Sequence, residues 1–271
     1  MERVARMSEL KGKVAVVTGG AGGIGAAIVM KLAQAGADVV VCDCGVPDEA
    51  ARVVEQVESL GRRAMAVLID VTDRAAVEQM YADVVTAYGN VDIIVACAAV
   101  SSSRKVIDLT WEEAHRTIDV CQNGVVHTCQ LAAMRMVQQV EDGRAPGRIV
   151  IIGSVHAEVP FSGAAPYNMA KVAINQFCEH LALELAPYHI NVNTINPGWI
   201  DTPNEHRKFS EESLVDGARA IPWQRLGRPE EIAGIVQFLV GDNVSYMTGA
   251  CIRADGAMLP ALALHLPEEN S

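Results

Sequence analysis

The sequence predicts a single-domain, doubly wound α/β fold, with a central parallel sheet of about seven strands and helices on both faces. Three observations carry this expectation. Short apolar runs of strand length alternate with helix-period segments along the chain. Half of the 271 residues are hydrophobic although aromatics are only 4%. The first strand-like run leads straight into a glycine-rich turn and then a helix. Strands that alternate with helices form parallel sheets through right-handed crossovers, and strands buried on both faces read as unbroken Val, Ile and Ala runs.

The first strand is expected over Val14 to Thr18, followed by Thr18-Gly-Gly-Ala-Gly-Gly-Ile-Gly25 and a helix over Ile24 to Ala35. Glycines let the backbone turn tightly, and the helix N-terminus offers free N–H groups and a positive dipole to a pyrophosphate. A second strand, Asp38 to Cys42, ends at Asp43, at about the spacing expected for the acid that holds an adenosine ribose. Its carboxylate repels a 2′-phosphate. Neither Gly22 nor Cys44 supplies a cation for one, and Arg52 lies several helical residues away, so NAD is preferred over NADP. The alternative for Asp43 is a turn residue closing the strand.

A helix over Glu49 to Leu60 and a strand over Ala64 to Ile69 lead to Asp70-Val-Thr-Asp73. Asp70 could accept a bond from an adenine amino group, or it could cap the next helix, as Thr72 or Asp73 could. That helix runs from Arg74 to Tyr88, and the fourth strand from Val91 to Ala96. One long helix is expected from Trp111 to Val140. The fifth strand, Arg148 to Ile152, ends at Gly153-Ser154, which places a small hydroxyl residue at a carboxyl edge, where parallel sheets build their sites.

In the next helix, Tyr167 to Ala186, Tyr167 and Lys171 stand one turn apart on the same face. An unperturbed tyrosine titrates near ~10; a neighbouring ammonium lowers that value and makes the phenol a usable proton acceptor. With Ser154 close by, the chemistry suggested is removal of a proton from an alcohol. The pair alone also arises by chance at helical spacing. A sixth strand (Ile190 to Ile195), a polar segment at 201–228 that is a candidate substrate lid, a helix (Pro229 to Val240), a seventh strand (Ala250 to Arg253) and a tail at 259–271 complete the chain.

Net charge is −11 and no basic cluster stands out, which disfavours nucleic acid and anionic bilayers as partners and favours a small molecule. No apolar run reaches membrane-spanning length, and the charged start Met1-Glu-Arg-Val-Ala-Arg6 lacks a signal core, so a cytoplasmic protein is expected. Seven scattered cysteines read as reduced core residues, with Cys42 and Cys44 too close for an ordinary disulfide. The histidines show no ligand spacing, and no metal site is expected.

Together these features resemble the short-chain dehydrogenases/reductases, over roughly Gly12 to Met258. The resemblance implies a Rossmann domain that carries both the cofactor and the substrate site. Thr18-Gly19-x-x-x-Gly23-Ile24-Gly25 looks like the family's cofactor turn, whereas a literal Gly-x-Gly-x-x-Gly picks Gly20, Gly22 and Gly25; the family's register is followed here. By resemblance Tyr167 is the acid/base, Lys171 is both the phenol-tuning cation and a nicotinamide-ribose ligand, and Ser154 donates to the substrate oxygen. Val71 and Ala98 line the cofactor. Pro197-Gly198 and Ile200 to Thr202 line the nicotinamide, with the Ile200 backbone and the Thr202 hydroxyl near its carboxamide.

Two departures stand out. The family's Asn-Asn-Ala-Gly after the fourth strand is Ala96-Cys-Ala-Ala99 here, and its helical catalytic Asn aligns with Cys121, with Asn123 nearby but out of register. The family's Asn is associated with a proton-relay water held through the main-chain carbonyl, which Cys121 also has. Retuned or reduced activity is therefore expected.

Ser154-Val-His-Ala-Glu-Val-Pro160, Asp201-Thr-Pro-Asn-Glu-His-Arg-Lys-Phe209 and Ala254-Asp-Gly-Ala-Met258 look locally like the glucose 1-dehydrogenase branch. A sugar or polyol follows, with His156 and Asn204 as substrate residues and Glu158, Glu205 and His206 as further hydroxyl partners; the alternative is a solvated loop. A larger apolar alcohol such as a hydroxysteroid, with Met258 to Leu266 lining a greasy pocket, is a second reading. A nucleotide-sensing scaffold without chemistry is a third. The family's usual homotetramer would pack Trp111 to Val140 and Tyr167 to Ala186 against their symmetry mates.

Overall fold

Seven parallel strands form one sheet in the computed structural model, which describes residues 10–45 and 47–262. The strands are β1 (Val14–Thr18), β2 (Asp38–Asp43), β3 (Ala64–Leu68), β4 (Ile93–Ala96), β5 (Arg148–Ile152), β6 (Asn191–Pro197) and β7 (Cys251–Ala254). Their order across the sheet is β3-β2-β1-β4-β5-β6-β7. The order reverses between β1 and β4, and that reversal opens a crevice at the carboxyl ends of the strands.

Alternation along each strand feeds two cores. Val16, Ile94 and Ile149 point to one face, against Tyr81, Met136 and Ile174 from α3 (Arg74–Tyr88), α5 (Gly124–Glu141) and α6 (Ala165–Leu185). Val17, Val95 and Val150 point to the other, against Ile28, Leu32, Ile232 and Val236 from α1 (Gly23–Gln34) and α9 (Pro229–Leu239). On this second face α2 (Pro47–Ser59) contributes Val53 and Val57.

Three expectations are corrected. The single long helix is two: α4 (Trp111–Ile118) and α5 are joined by a π-turn at Asp119–Asn123, in which the Gly124 N–H donates back to Asp119 O. The extra residue lies beside Cys121, and Gly124 lets α5 close on Val71, since a Cβ there would stand 2.5 Å from Val71 Cγ2. Such π-turns commonly mark functional positions. The polar segment at 201–228, by sequence the least regular stretch of the chain, holds α7 (Pro203–Lys208) and α8 (Glu211–Ala220). Finally, Cys44 and Cys251 are exposed rather than core, because one follows a strand end and the other lies on the edge strand; all seven cysteines are unpaired.

The seventh strand leads into α10 (Met258–Leu262). The rest of the expected tail, 263–271, and the charged start lie outside the described residues. Among the described residues no helix is long and apolar enough to cross a membrane, and no cluster of His, Cys, Asp and Glu could hold a metal ion.

Candidate active site

The glycine turn follows the 19/23/25 register. Gly19 and Gly23 have φ of 68° and 50°, while Gly20 and Gly22 stay outside the left-handed region. Gly25 must also be glycine, because a Cβ there would stand 1.9 Å from Gly19 O. Gly22 caps α1 with no side-chain hydrogen bond, and the space above it is open. The first N–H groups of α1, at Gly23, Ile24 and Gly25, therefore face outward without an intrahelical partner, an arrangement that fits a pyrophosphate.

Thr18 is buried, and its Oγ1 accepts from Cys97 N at 3.1 Å and Ala98 N at 3.3 Å. It ties β1 to the start of the β4 loop, so Ala98 lies against Gly19. The departure Ala96-Cys-Ala-Ala99 thus keeps the backbone contact that shapes this end.

Asp43 ends β2 with both carboxylate oxygens directed at backbone: Oδ2 accepts from Ala21 N at 3.0 Å and Oδ1 from Gly45 N at 2.9 Å. Each oxygen retains a lone pair for a ribose hydroxyl. Asp70 Oδ1 accepts from the Thr72 N–H and hydroxyl, and Arg116 Nη1 lies 2.8 Å from Oδ2. Despite the opposing pull of its partial burial, these bonds hold the Asp70 carboxyl below its usual range. The cap of α3 is Asp73 instead. Arg116 was not legible from the sequence, since its approach depends on how α4 crosses the end of β3. Its charge also reaches Cys44, countering the burial and the carboxylates of Asp43 and Asp70 that push that thiol up.

The other wall comes from β6 and the segment that follows it. Pro197 is buried, Gly198 N donates to Ala254 O at 2.9 Å, and Ile200 is 6% exposed. Thr202 faces the glycine turn, its Cγ2 lying 3.4 Å from where a Cβ of Gly23 would be. The two candidate cofactor segments, distant in sequence, therefore meet across the crevice.

At the reacting end Gly153 allows Ser154 to sit against Asn196, whose Oδ1 accepts from Ser154 N at 3.1 Å; a Cβ on Gly153 would overlap that oxygen at 2.1 Å. Ser154 Oγ accepts from His156 N at 3.2 Å, so its own proton is available to the Tyr167 phenol or to a substrate oxygen. Tyr167, Cys121, Val71, Val120, Ala98 and Ala170 make one apolar floor.

Lys171 is 1% exposed, its Nζ donates to Ile152 O at 2.8 Å, and it stands 5.3 Å from the Tyr167 ring centroid. An ammonium has three donors. One acceptor is found among the described residues, so a buried cation is left able to bind further hydroxyls, which fits a ribose.

The expected lowering of the Tyr167 pKa is corrected. Burial pushes it above the ordinary value; Lys171 pulls down against this, as does Ser154, while the thiols of Cys121 and Cys97 push up. Lysine offsets desolvation rather than overcoming it.

Cys121 stands inside the π-turn. Its Sγ donates to Val100 O at 3.0 Å and accepts from Val100 N at 3.4 Å, so one thiol engages both sides of that residue's backbone as an amide side chain could. Asn123 points elsewhere, to Asp119 Oδ1 at 2.9 Å.

Among the candidate substrate residues, His156 is held by Asn168, a partner that no motif in the sequence marks: Nδ1 to Asn168 Oδ1 is 2.7 Å, and Asn168 Nδ2 donates to Val159 O at 3.1 Å. The amide orientation makes Nδ1 the donor and leaves Nε2 as an acceptor. The ring meets Tyr167 edge-on at 5.1 Å between centroids and packs on Phe161 at 4.3 Å. Burial pushes its pKa down, so the neutral form is favoured. Asn204 is exposed on α7 and makes no side-chain hydrogen bond among the described residues. A cavity of about 190 Å³ behind Trp199 and Ile200, walled by Ile221, Trp223 and Ile232, contains none of Ser154, Tyr167 or Lys171.

A family model described as enoyl-(acyl carrier protein) reductase matches residues 19–258. Cyclohexanol dehydrogenase of Rhodococcus sp. (strain TK6) is 34% identical, over 92% of this chain and 97% of that protein. 3beta-Hydroxysteroid dehydrogenase 1 of Eggerthella lenta is 34% identical, over 92% and 95%. L-Rhamnose 1-dehydrogenase (NAD(P)(+)) of Sphingomonas sp. (strain SKA58) is 32% identical, over 93% and 98%.

Proposed function

The chain belongs to the short-chain dehydrogenase/reductase family, and from that premise we propose that it oxidises a secondary alcohol, with a sugar or polyol favoured, using NAD and Tyr167 as the acid/base. The observation that carries this reading is the convergence of Ser154, Tyr167 and Lys171 at the carboxyl edge of β5, with a buried ammonium that has donors to spare. Bound NAD(P) supplies the hydride acceptor. The chain's own groups do the rest. Ser154 donates its hydroxyl proton to the substrate oxygen, Tyr167 takes the alcohol proton, and Lys171 stabilises the phenolate that accepts it. By the family likeness, the main-chain carbonyl of Cys121, inside the π-turn, would hold a relay water beyond Tyr167.

NAD rather than NADP is supported by the fixed Asp43 carboxylate and by the engagement of Arg116 with Asp70. Asp43→Ala is expected to raise the preference for NADP over NAD, as the ratio of kcat/KM, by roughly tenfold or more, the scale of one charge-assisted hydrogen bond exchanged for lost repulsion. An unchanged ratio of the two cofactors' kcat/KM would remove Asp43 from the ribose site.

Sugar or polyol is supported by the Nε2 acceptor that Asn168 fixes on His156 and by the likeness to L-rhamnose 1-dehydrogenase. A larger apolar alcohol is supported instead by the hydroxysteroid dehydrogenase relative and by the Phe161 ring against His156. Rates across aldoses, polyols and hydroxysteroids separate the two. The local likeness to the glucose 1-dehydrogenase branch places a hexose first on that panel.

Cys121 is proposed to hold the β4 loop through Val100. Cys121→Ala is expected to reduce kcat by about tenfold while Cys121→Asn restores or exceeds the parent rate, because an amide can make both bonds. Equal kcat and pH profiles in all three proteins would sink the role. A homo-oligomer, with the tetramer favoured, is supported by exposed Met134 on α5 and exposed Met169, Val172 and Leu183 on α6.

A further inference from the structure

We propose that the alcohol oxidised here carries a carboxylate or phosphate group, held by Lys208 at the mouth of the cleft. This rests on the alcohol dehydrogenase reading and narrows its substrate class.

The geometry of α7 carries it. The helix leaves Thr202, which faces the glycine turn, and at its other end Lys208 Nζ donates to Ser101 Oγ at 2.7 Å, a contact between residues 107 apart in sequence. Ser101 follows Val100, which is bonded to Cys121 on the floor under Tyr167. α7 therefore arches from the cofactor end to the β4 loop, and Lys208 stands on the rim of the space between them.

Several acids of that rim are already engaged: His206 spans Asp201 at 2.7 Å and Glu211 at 2.8 Å, Glu205 accepts from Trp199 Nε1 at 2.7 Å, and Glu113 pairs with Arg104 at 2.7 Å, while Asp108 and Glu212 are exposed. Lys208, the adjacent Arg207 and Lys105 are exposed, and none has a carboxylate partner among the described residues. A cation held at that place by its bond to Ser101 attracts an anion and does nothing for a neutral polyol. The partner Lys208 does have is a neutral serine hydroxyl, and an anionic oxygen makes a hydrogen bond about twice as strong.

The test uses matched alcohols with and without the anion: D-glucose, D-glucose 6-phosphate and D-gluconate; glycerol and glycerol 3-phosphate; 3-hydroxybutyrate and its methyl ester. Two readouts are taken on the full chain and on Lys208→Gln and Lys208→Arg: kcat/KM with NAD, and calorimetric affinity of the same compounds for the NADH-bound protein. At least one anion is expected to exceed its neutral partner roughly tenfold in both readouts, with the ratio collapsing in Lys208→Gln and retained in Lys208→Arg. The sugar and glycerol phosphates against the carboxylates show which oxyanion is meant. Equal affinity for charged and neutral partners, or a ratio untouched by Lys208→Gln, overturns the proposal. Lys208-dependent binding of anions without turnover of any alcohol would keep the anion site and defeat the dehydrogenase reading; turnover without anion preference would do the reverse.

Discussion

Tyr167→Phe is expected to lower kcat for alcohol oxidation by about 10²–10⁴-fold, the range typical of a positioned general acid/base, with little change in NAD affinity. The substitution removes one oxygen from a half-buried ring that packs against Cys121, Ala98 and Ala170, so the apolar floor stays filled. Ser154 keeps its bonds to Asn196 and His156, and Lys171 keeps Ile152 O. What is lost is the atom proposed to take the alcohol proton. Rate and affinity must therefore separate: kcat falls while the dissociation constant of NAD, measured by titration calorimetry, moves by less than about twofold. A parallel loss of both would mean that the phenol serves cofactor binding. Retained turnover would mean that the proton leaves by another route.

Lys171→Met is expected to act on both quantities and on pH. The phenolate is the active form in oxidation, so kcat/KM rises with pH until Tyr167 has lost its proton. Burial already raises that pKa above the ordinary tyrosine value, and Lys171 works against burial. The parent enzyme should therefore oxidise alcohols best on the alkaline side. Removing the cation leaves burial unopposed, and the limb moves further up; each unit of displacement costs about tenfold in rate at any fixed pH below it. NAD affinity also falls, because the spare donors of a buried ammonium disappear. This is the opposite of the Tyr167→Phe pattern. The limb is read from kcat/KM against pH in both proteins; a limb that stays in place, or moves down, contradicts the role assigned to Lys171.

The sheet was legible because β1, β2, β4 and β5 are apolar on both faces, and such runs have few other structures available to them. The glycine register was legible only through family likeness; the physical reason lies in the positive φ of Gly19 and Gly23, which no count of glycines reveals. The break in the long helix left no mark in apolar periodicity, because a π-turn adds a single residue and the chain stays helical on either side of it. Residues whose part depends on another element crossing them stayed hidden: Arg116 over Asp70, Asn168 under His156 and Lys208 across to Ser101. The direction of the Tyr167 shift was misjudged for a related reason. Helical spacing announces the lysine, but desolvation belongs to everything packed around the ring.

The central claim is that this chain catalyses hydride transfer even though Cys121 and Ala96-Cys-Ala-Ala99 stand where its family carries amides. The most direct test follows nicotinamide absorbance while NAD-loaded protein is mixed with an alcohol and with the same alcohol deuterated at the carbinol carbon. Reduced nicotinamide should form with both, more slowly from the deuterated substrate, and the signal should vanish in Tyr167→Phe. Tight NAD binding with no reduced nicotinamide from any aldose, polyol, hydroxy acid or hydroxysteroid would contradict the account and leave a nucleotide-binding protein without chemistry.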